Sequence, residues 1–164
     1  MSEKPIILCV EDEPEVREAI LRDLAIFQEA FRIEAAEDVA DARFVLRECM
    51  GEGHPLALAL CDHVLPGETG VSFLVELKKD ESTKHARKVL ITGQAGQEDT
   101  IHAVNEAGLD FFITKPWSAE ALQTAVRHQL TDYVLAHAAS LLPYVPVLET
   151  DRILEAISQR RSAE

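Results

Sequence analysis

The chain has 164 residues, 47% of them hydrophobic, and sets 29 acidic side chains against 16 basic ones for a net charge of −13. That length suits one domain with an appendage, or at most two small ones, and the composition is that of a globular chain able to bury a real core. The charge works against non-specific nucleic-acid binding and against anionic membranes, both of which depend on surface Lys and Arg. The start, MSEKPIILCVEDE, turns acidic after one short apolar run, so neither a secretory leader nor a spanning segment is expected. Cys9, Cys49 and Cys61 are odd in number and lack C-x-x-C spacing. The expectation is a cytoplasmic chain with small buried thiols.

Five short apolar runs are predicted as strands: Ile6–Val10, Phe31–Ala35, Leu56–Cys61, Val89–Thr92 and Phe111–Thr114. The first, third and fourth are apolar on both faces, as central strands of a parallel sheet are. The second alternates and reads as half-buried. Between the runs the apolar spacing is helical. Val16, Ile20, Leu24 and Phe27 form one stripe, with Pro14 suited to a first turn. Val39, Ala42, Phe44, Val45, Leu46 and Cys49 form a second, Val71, Leu74, Val75 and Leu77 a third, and Ile101, Val104 and Ala107 a fourth that stops at Gly108. Ser118 is placed to cap a fifth.

The order is therefore (βα)5, and right-handed crossovers make it a doubly wound parallel five-stranded sheet with helices on both faces. Ligands of such sheets sit beyond the carboxyl ends of the strands. The residues at those ends are Glu11 and Asp12, Asp62, Thr92, and Lys115. Each alone is weak, since an acidic turn is usually a solvated helix start and a strand-end Lys usually a surface residue. Together they form a coherent phosphoryl-transfer set. Three carboxylates repel one another, and a hard divalent cation such as Mg²⁺ relieves this. Lys115 adds a mobile positive charge, Thr92 a hydroxyl for a phosphoryl oxygen, and Asp62 a carboxylate nucleophile. His63 beside it points the other way, by strand alternation.

At these residues the chain resembles the response regulator receiver domain of two-component signalling. The resemblance covers about residues 4–130 and rests on ILCVEDEPEVR, LCDHVLPGETG, VLITGQA and ITKPW, in order and at receiver-like separations. It implies a flavodoxin-like fold in which Asp62 accepts phosphate from a histidine kinase or phosphotransfer protein. It implies Mg²⁺ held by Asp12, Asp62 and the backbone carbonyl of Val64, with Glu11 helping through water. Thr92 and Lys115 become phosphate sensors, and the Lys115–Pro116 peptide is expected to be cis. Phe112, three residues before Lys115, becomes a switch that turns inward as Thr92 moves. It alters protein contacts on the face of the fourth helix, fifth strand and fifth helix. The chain is then no enzyme beyond possible loss of its own phosphate. Val64 and Gln94 stand where the family modulates water access to the phosphoryl group.

Competing readings are weaker. A phosphatase of the haloacid-dehalogenase type wants an Asp two residues after its nucleophile, where this chain has Val64. A flavodoxin-like cofactor binder wants hydroxyls and NH groups after the first strand, where this chain has three acids. An unphosphorylated scaffold receiver would not need the full acidic set. The domain reading is a receiver over 1–130 and a helical extension over 131–164. The stripe Leu122, Val126, Leu130, Tyr133, His137 and Leu141 predicts that the fifth helix continues to Leu142. Its far half, with Val134, Leu135 and Ala138, predicts exposed apolar surface and a homodimer, folding back being the alternative. Thr150 or Asp151 is expected to cap a last short helix. The extension is too short for a DNA-binding domain, so output is expected through a downstream protein, or through further domains if the chain is the front of a longer regulator.

Overall fold

The computed structural model describes residues 3–93 and 104–163. Gln94 and Ile101, named above, lie outside the described residues. The elements run β1 (Ile6–Val10), α1 (Pro14–Leu24), β2 (Arg32–Ala36), α2 (Val39–Gly51), β3 (Leu56–Asp62), α3 (Gly70–Lys79) and β4 (Arg87–Thr92). Residues 104–107 are helical and are numbered α4. Then come β5 (Phe111–Thr114), α5 (Ala119–His137) and α6 (Thr150–Ser162). Short 3₁₀ turns at Ala25–Phe27 and Leu142–Tyr144 follow α1 and α5.

The sheet is parallel throughout, in the order β2-β1-β3-β4-β5. The three strands that read as apolar on both faces are the three central ones. β1 and β3 are buried along their whole length. The edge strands are the less apolar pair. β2 is half-buried, and Phe111 and Phe112 of β5 are each 45% exposed. Strands that are mostly apolar on both faces gain most from being covered on both sides, which sorts centre from edge. One face is covered by α1 and α5, with Ile7, Cys9, Leu58, Leu60 and Val89 beneath. The other is covered by α2 and α3 over Leu8, Ala59, Cys61 and Leu90. All three cysteines are buried free thiols. Ser118 caps α5 as expected, its Oγ accepting from the Ala121 N–H at 3.1 Å.

The C-terminal expectation needs correction. α5 ends at His137, not Leu142. The chain then turns, and the stripe that predicted self-pairing is covered by its own tail. Tyr133, Val134, Leu141, Tyr144, Val147, Leu148 and Ile153 are buried in the same cluster as Phe27, Phe31 and Leu130. The Tyr144 ring lies 5.4 Å from that of Phe31. With that surface buried within the chain, the stripe no longer argues for a homodimer. Neither Thr150 nor Asp151 caps α6. Glu149 is its N-cap residue, and the Glu149 N–H donates to the buried Thr131 Oγ1 of α5 at 3.2 Å. At the other end, Arg160 donates to the carbonyls of Leu135, Ala138 and Ala139, groups that α5 leaves unsatisfied as it stops.

Candidate phosphoryl-acceptor site

The sheet delivers its acids to one edge because β1 and β3 are neighbours in register, Val10 beside Cys61. The next residues, Glu11 and Asp62, are therefore side by side. Oxygens of Glu11, Asp12 and Asp62 all lie within 4.8 Å of one another. Glu11 is fully buried, Asp62 4% exposed and Asp12 half-buried. Hydrogen bonds continue the ladder past the strand ends. The His63 N–H donates to Ile91 O at 3.0 Å and the Lys115 N–H to Thr92 O at 2.9 Å. These bonds hold the first residues after β3 and β5 beside the acids.

Lys115 Nζ donates to Asp62 Oδ2 at 3.0 Å and stands 3.7 Å from Glu11 Oε1. Burial works against its charge, but the hydrogen bond and charge of Asp62, with Glu11 behind, outweigh it and raise the Lys115 pKa. Glu11 is driven the other way from an ordinary carboxylate. Burial first, then the Asp62 charge, push its pKa up to about 7 against the opposing Glu13 N–H and Lys115. One Glu11 oxygen takes that N–H at 3.2 Å, whereas Oε1 is buried and accepts no hydrogen bond among the described residues. A buried carboxylate oxygen with no donor is costly, and a hard cation is the partner it fits. The donor set, all oxygen and partly open to solvent at Asp12, suits Mg²⁺ with retained waters.

Thr92 ends β4 at 5% exposure, its Oγ1 donating to Gly93 O at 2.6 Å. The Val64 side chain is 75% exposed, and its N–H lies 3.4 Å from Asp62 Oδ1. Phe112 faces outward, its ring 6.4 Å from that of Phe111. The Lys115–Pro116 peptide is cis. The turn PGETG is held by two glycines. Gly67 has φ of +80°, and a Cβ on Gly70 would collide with the Asp62 carbonyl oxygen. Thr69 then caps α3 by accepting from the Ser72 N–H.

Sequence reasoning missed Arg17. It reaches back from α1 to donate to the Glu11 carbonyl at 2.8 Å, with the Asp12 carbonyl at 3.5 Å. Its position six residues after Glu11, one turn into a helix opened by Pro14, was the available signal.

Comparison with known proteins agrees with this geometry. The family model described as the response regulator receiver domain matches residues 7–127. The hydrogenase transcriptional regulatory protein HoxA of Cupriavidus necator is 36% identical over 128 residues, 77% of this chain and 24% of that protein. The phosphate regulon transcriptional regulatory protein PhoB of Escherichia coli is 33% identical over 121 residues, 74% of this chain and 49% of that protein. The chain thus spans between a quarter and a half of the length of these relatives. Among solved structures, a CheY-like response regulator receiver domain protein from Methanospirillum hungatei aligns with a TM-score of 0.68 at 23% identity. That alignment covers 82% of this chain and 100% of the other, and it speaks for the fold.

Proposed function

The chain belongs to the response regulator receiver family, and we propose that it is a phospho-accepting switch in which Asp62 takes a phosphoryl group from a phosphohistidine donor. The observation that carries this is a buried strand-end carboxylate in direct contact with Lys115 and within an acidic cluster. In the transfer, an Asp62 oxygen forms a bond to phosphorus as the donor's N–P bond breaks. The electron pair and a proton remain with the donor imidazole. The Lys115 ammonium offsets charge on the phosphoryl oxygens. Glu11, Asp12, Asp62 and the Val64 carbonyl would hold Mg²⁺, which would neutralise and orient those oxygens. The Thr92 hydroxyl leaves its Gly93 carbonyl to donate to the new phosphoryl group. The space it vacates admits Phe112, which now lies 45% exposed on β5. The face of α4, β5 and α5 then presents a changed surface to a downstream protein. Residues 1–130 carry this chemistry and 131–164 extend it.

The test is acid-labile labelling with acetyl phosphate and Mg²⁺. Wild-type protein takes one phosphoryl group, and Asp62→Asn takes none. A variant that labels as well as wild type removes Asp62 from the role. Beryllofluoride with Mg²⁺ checks the switch through the emission of Trp117, the chain's only tryptophan, which shares a groove with Lys115. Unchanged emission and an unchanged Phe112 environment by NMR defeat the Thr92–Phe112 coupling.

A further inference from the structure

The acidic loop has a problem that its own side chains do not solve. Glu11, Asp12 and Glu13 repel one another, and Pro14, the first residue of α1, brings no N–H. The N-cap residue Glu13 makes no side-chain cap hydrogen bond. Within the loop one tie is made, the Glu13 N–H donating to Glu11 Oε2 at 3.2 Å, and the peptide between Glu11 and Asp12 is held from outside it. The Glu11 N–H is fixed from outside by the Ala36 carbonyl at 3.0 Å. Its carbonyl is fixed by the Arg17 guanidinium, Nη1 donating at 2.8 Å, and the Asp12 carbonyl lies at the edge of the same nitrogen's reach. Arg17 is half-buried and starts from the first turns of α1, so the peptide between the two acids is referenced to the helix and not to solvent.

We infer that Arg17 is a positioning residue for the cation site: it grips the backbone of two consecutive ligand residues and sets the aim of their carboxylates. This inference rests on the reading of Glu11, Asp12 and Asp62 as a Mg²⁺ site. Arg17 does not touch the cation. Its action runs through the Glu11 carbonyl, in the way outer partners of metal ligands tune affinity.

The inference has a sign that a simpler account lacks. Arg17 is a positive charge close to a cation site. If charge were its only influence, removing it would strengthen Mg²⁺ binding, since one repulsive neighbour is gone. If it positions the ligands, removing it weakens Mg²⁺ binding despite that gain. The experiment is Mg²⁺ titration of the full chain by Trp117 emission, cross-checked by calorimetry, for wild type, Arg17→Met and Arg17→Lys. Methionine keeps the apolar stem and loses both charge and donors. Lysine keeps the charge and one donor. The expected result is Mg²⁺ binding about tenfold weaker in Arg17→Met, with partial recovery in Arg17→Lys and a thermal transition of the chelated protein close to wild type for both. Equal or tighter binding by Arg17→Met overturns the inference, as does weakening that merely tracks loss of folded protein in chelator. A wild-type chain that binds no Mg²⁺ overturns the cation site and the inference together, which separates the two failures. Should Arg17→Met not fold, the Arg17→Lys comparison decides: Mg²⁺ binding weaker than wild type supports the inference, and binding equal to wild type overturns it.

Discussion

Two corners of the molecule collect charged side chains, and they do so on opposite terms. At the carboxyl edge of the sheet, Glu11 and Asp62 are buried, and Lys115 is in contact with both. At the join of α5 and α6, Arg152 bridges Asp132 and Glu149 at 2.7 Å each, Arg87 stands between Asp110 and Asp132, and His128 touches Glu149. These groups remain partly in water, and beneath them lie Tyr144, Val147, Leu148 and Ile153. The first corner concentrates unrelieved charge and therefore stores a binding capacity. The second satisfies its charges locally and draws its stability from apolar burial. The proposed site sits with the buried acids, and the tail with the burial of apolar surface.

The sharpest way to break that comparison is at Ile153, fully buried where α6 meets α5. Ile153→Ala should cost about 3 kcal/mol in denaturant unfolding. A cost near zero would mean the tail is loosely laid on and not part of the core. Next is the pH dependence of the acidic corner. With its folded pKa raised to about 7 from 4.5, Glu11 binds more protons in the folded chain than in the unfolded one. Its stability cost is therefore absent below about pH 4.5, grows as pH rises, and is complete above about 7. Glu11→Gln should match wild type near pH 4 and exceed it by up to about 3 kcal/mol at pH 8 in chelator. A gap that fails to widen with pH removes the strain argument. Smallest is Arg152→Ala, which should cost less than about 1 kcal/mol, because both ion pairs are partly solvated. A larger loss would show that the charges, and not the apolar layer, hold the tail down.

Much of this was legible in residue order. The strand-centre and strand-edge distinction follows from which runs are apolar on both faces. The acids at strand ends follow from where those runs stop, because parallel crossovers place all carboxyl ends on one side. Phe112 and Lys115 are related by spacing along one strand and its exit. Gly70 was not legible as a contact, since its need is a close approach by the Asp62 carbonyl and not a turn conformation. The reach of Arg17 was not legible either. A side chain's target is a main-chain oxygen whose position depends on how the loop folds.

The tail marks the boundary most clearly. Its sequence determined that an apolar stripe runs beyond the sheet and must be covered, because burial of that surface is favourable wherever it occurs. It did not determine by what. The hydrophobic effect is non-directional, and a second copy or the chain's own end serves equally. The tertiary structure decided it. The helix ended at His137, and the turn through Leu142–Tyr144 was short enough to bring Leu148 and Ile153 onto the same face. Directional hydrogen bonds from Glu149 to Thr131 and from Arg160 to the end of α5 then held that one arrangement.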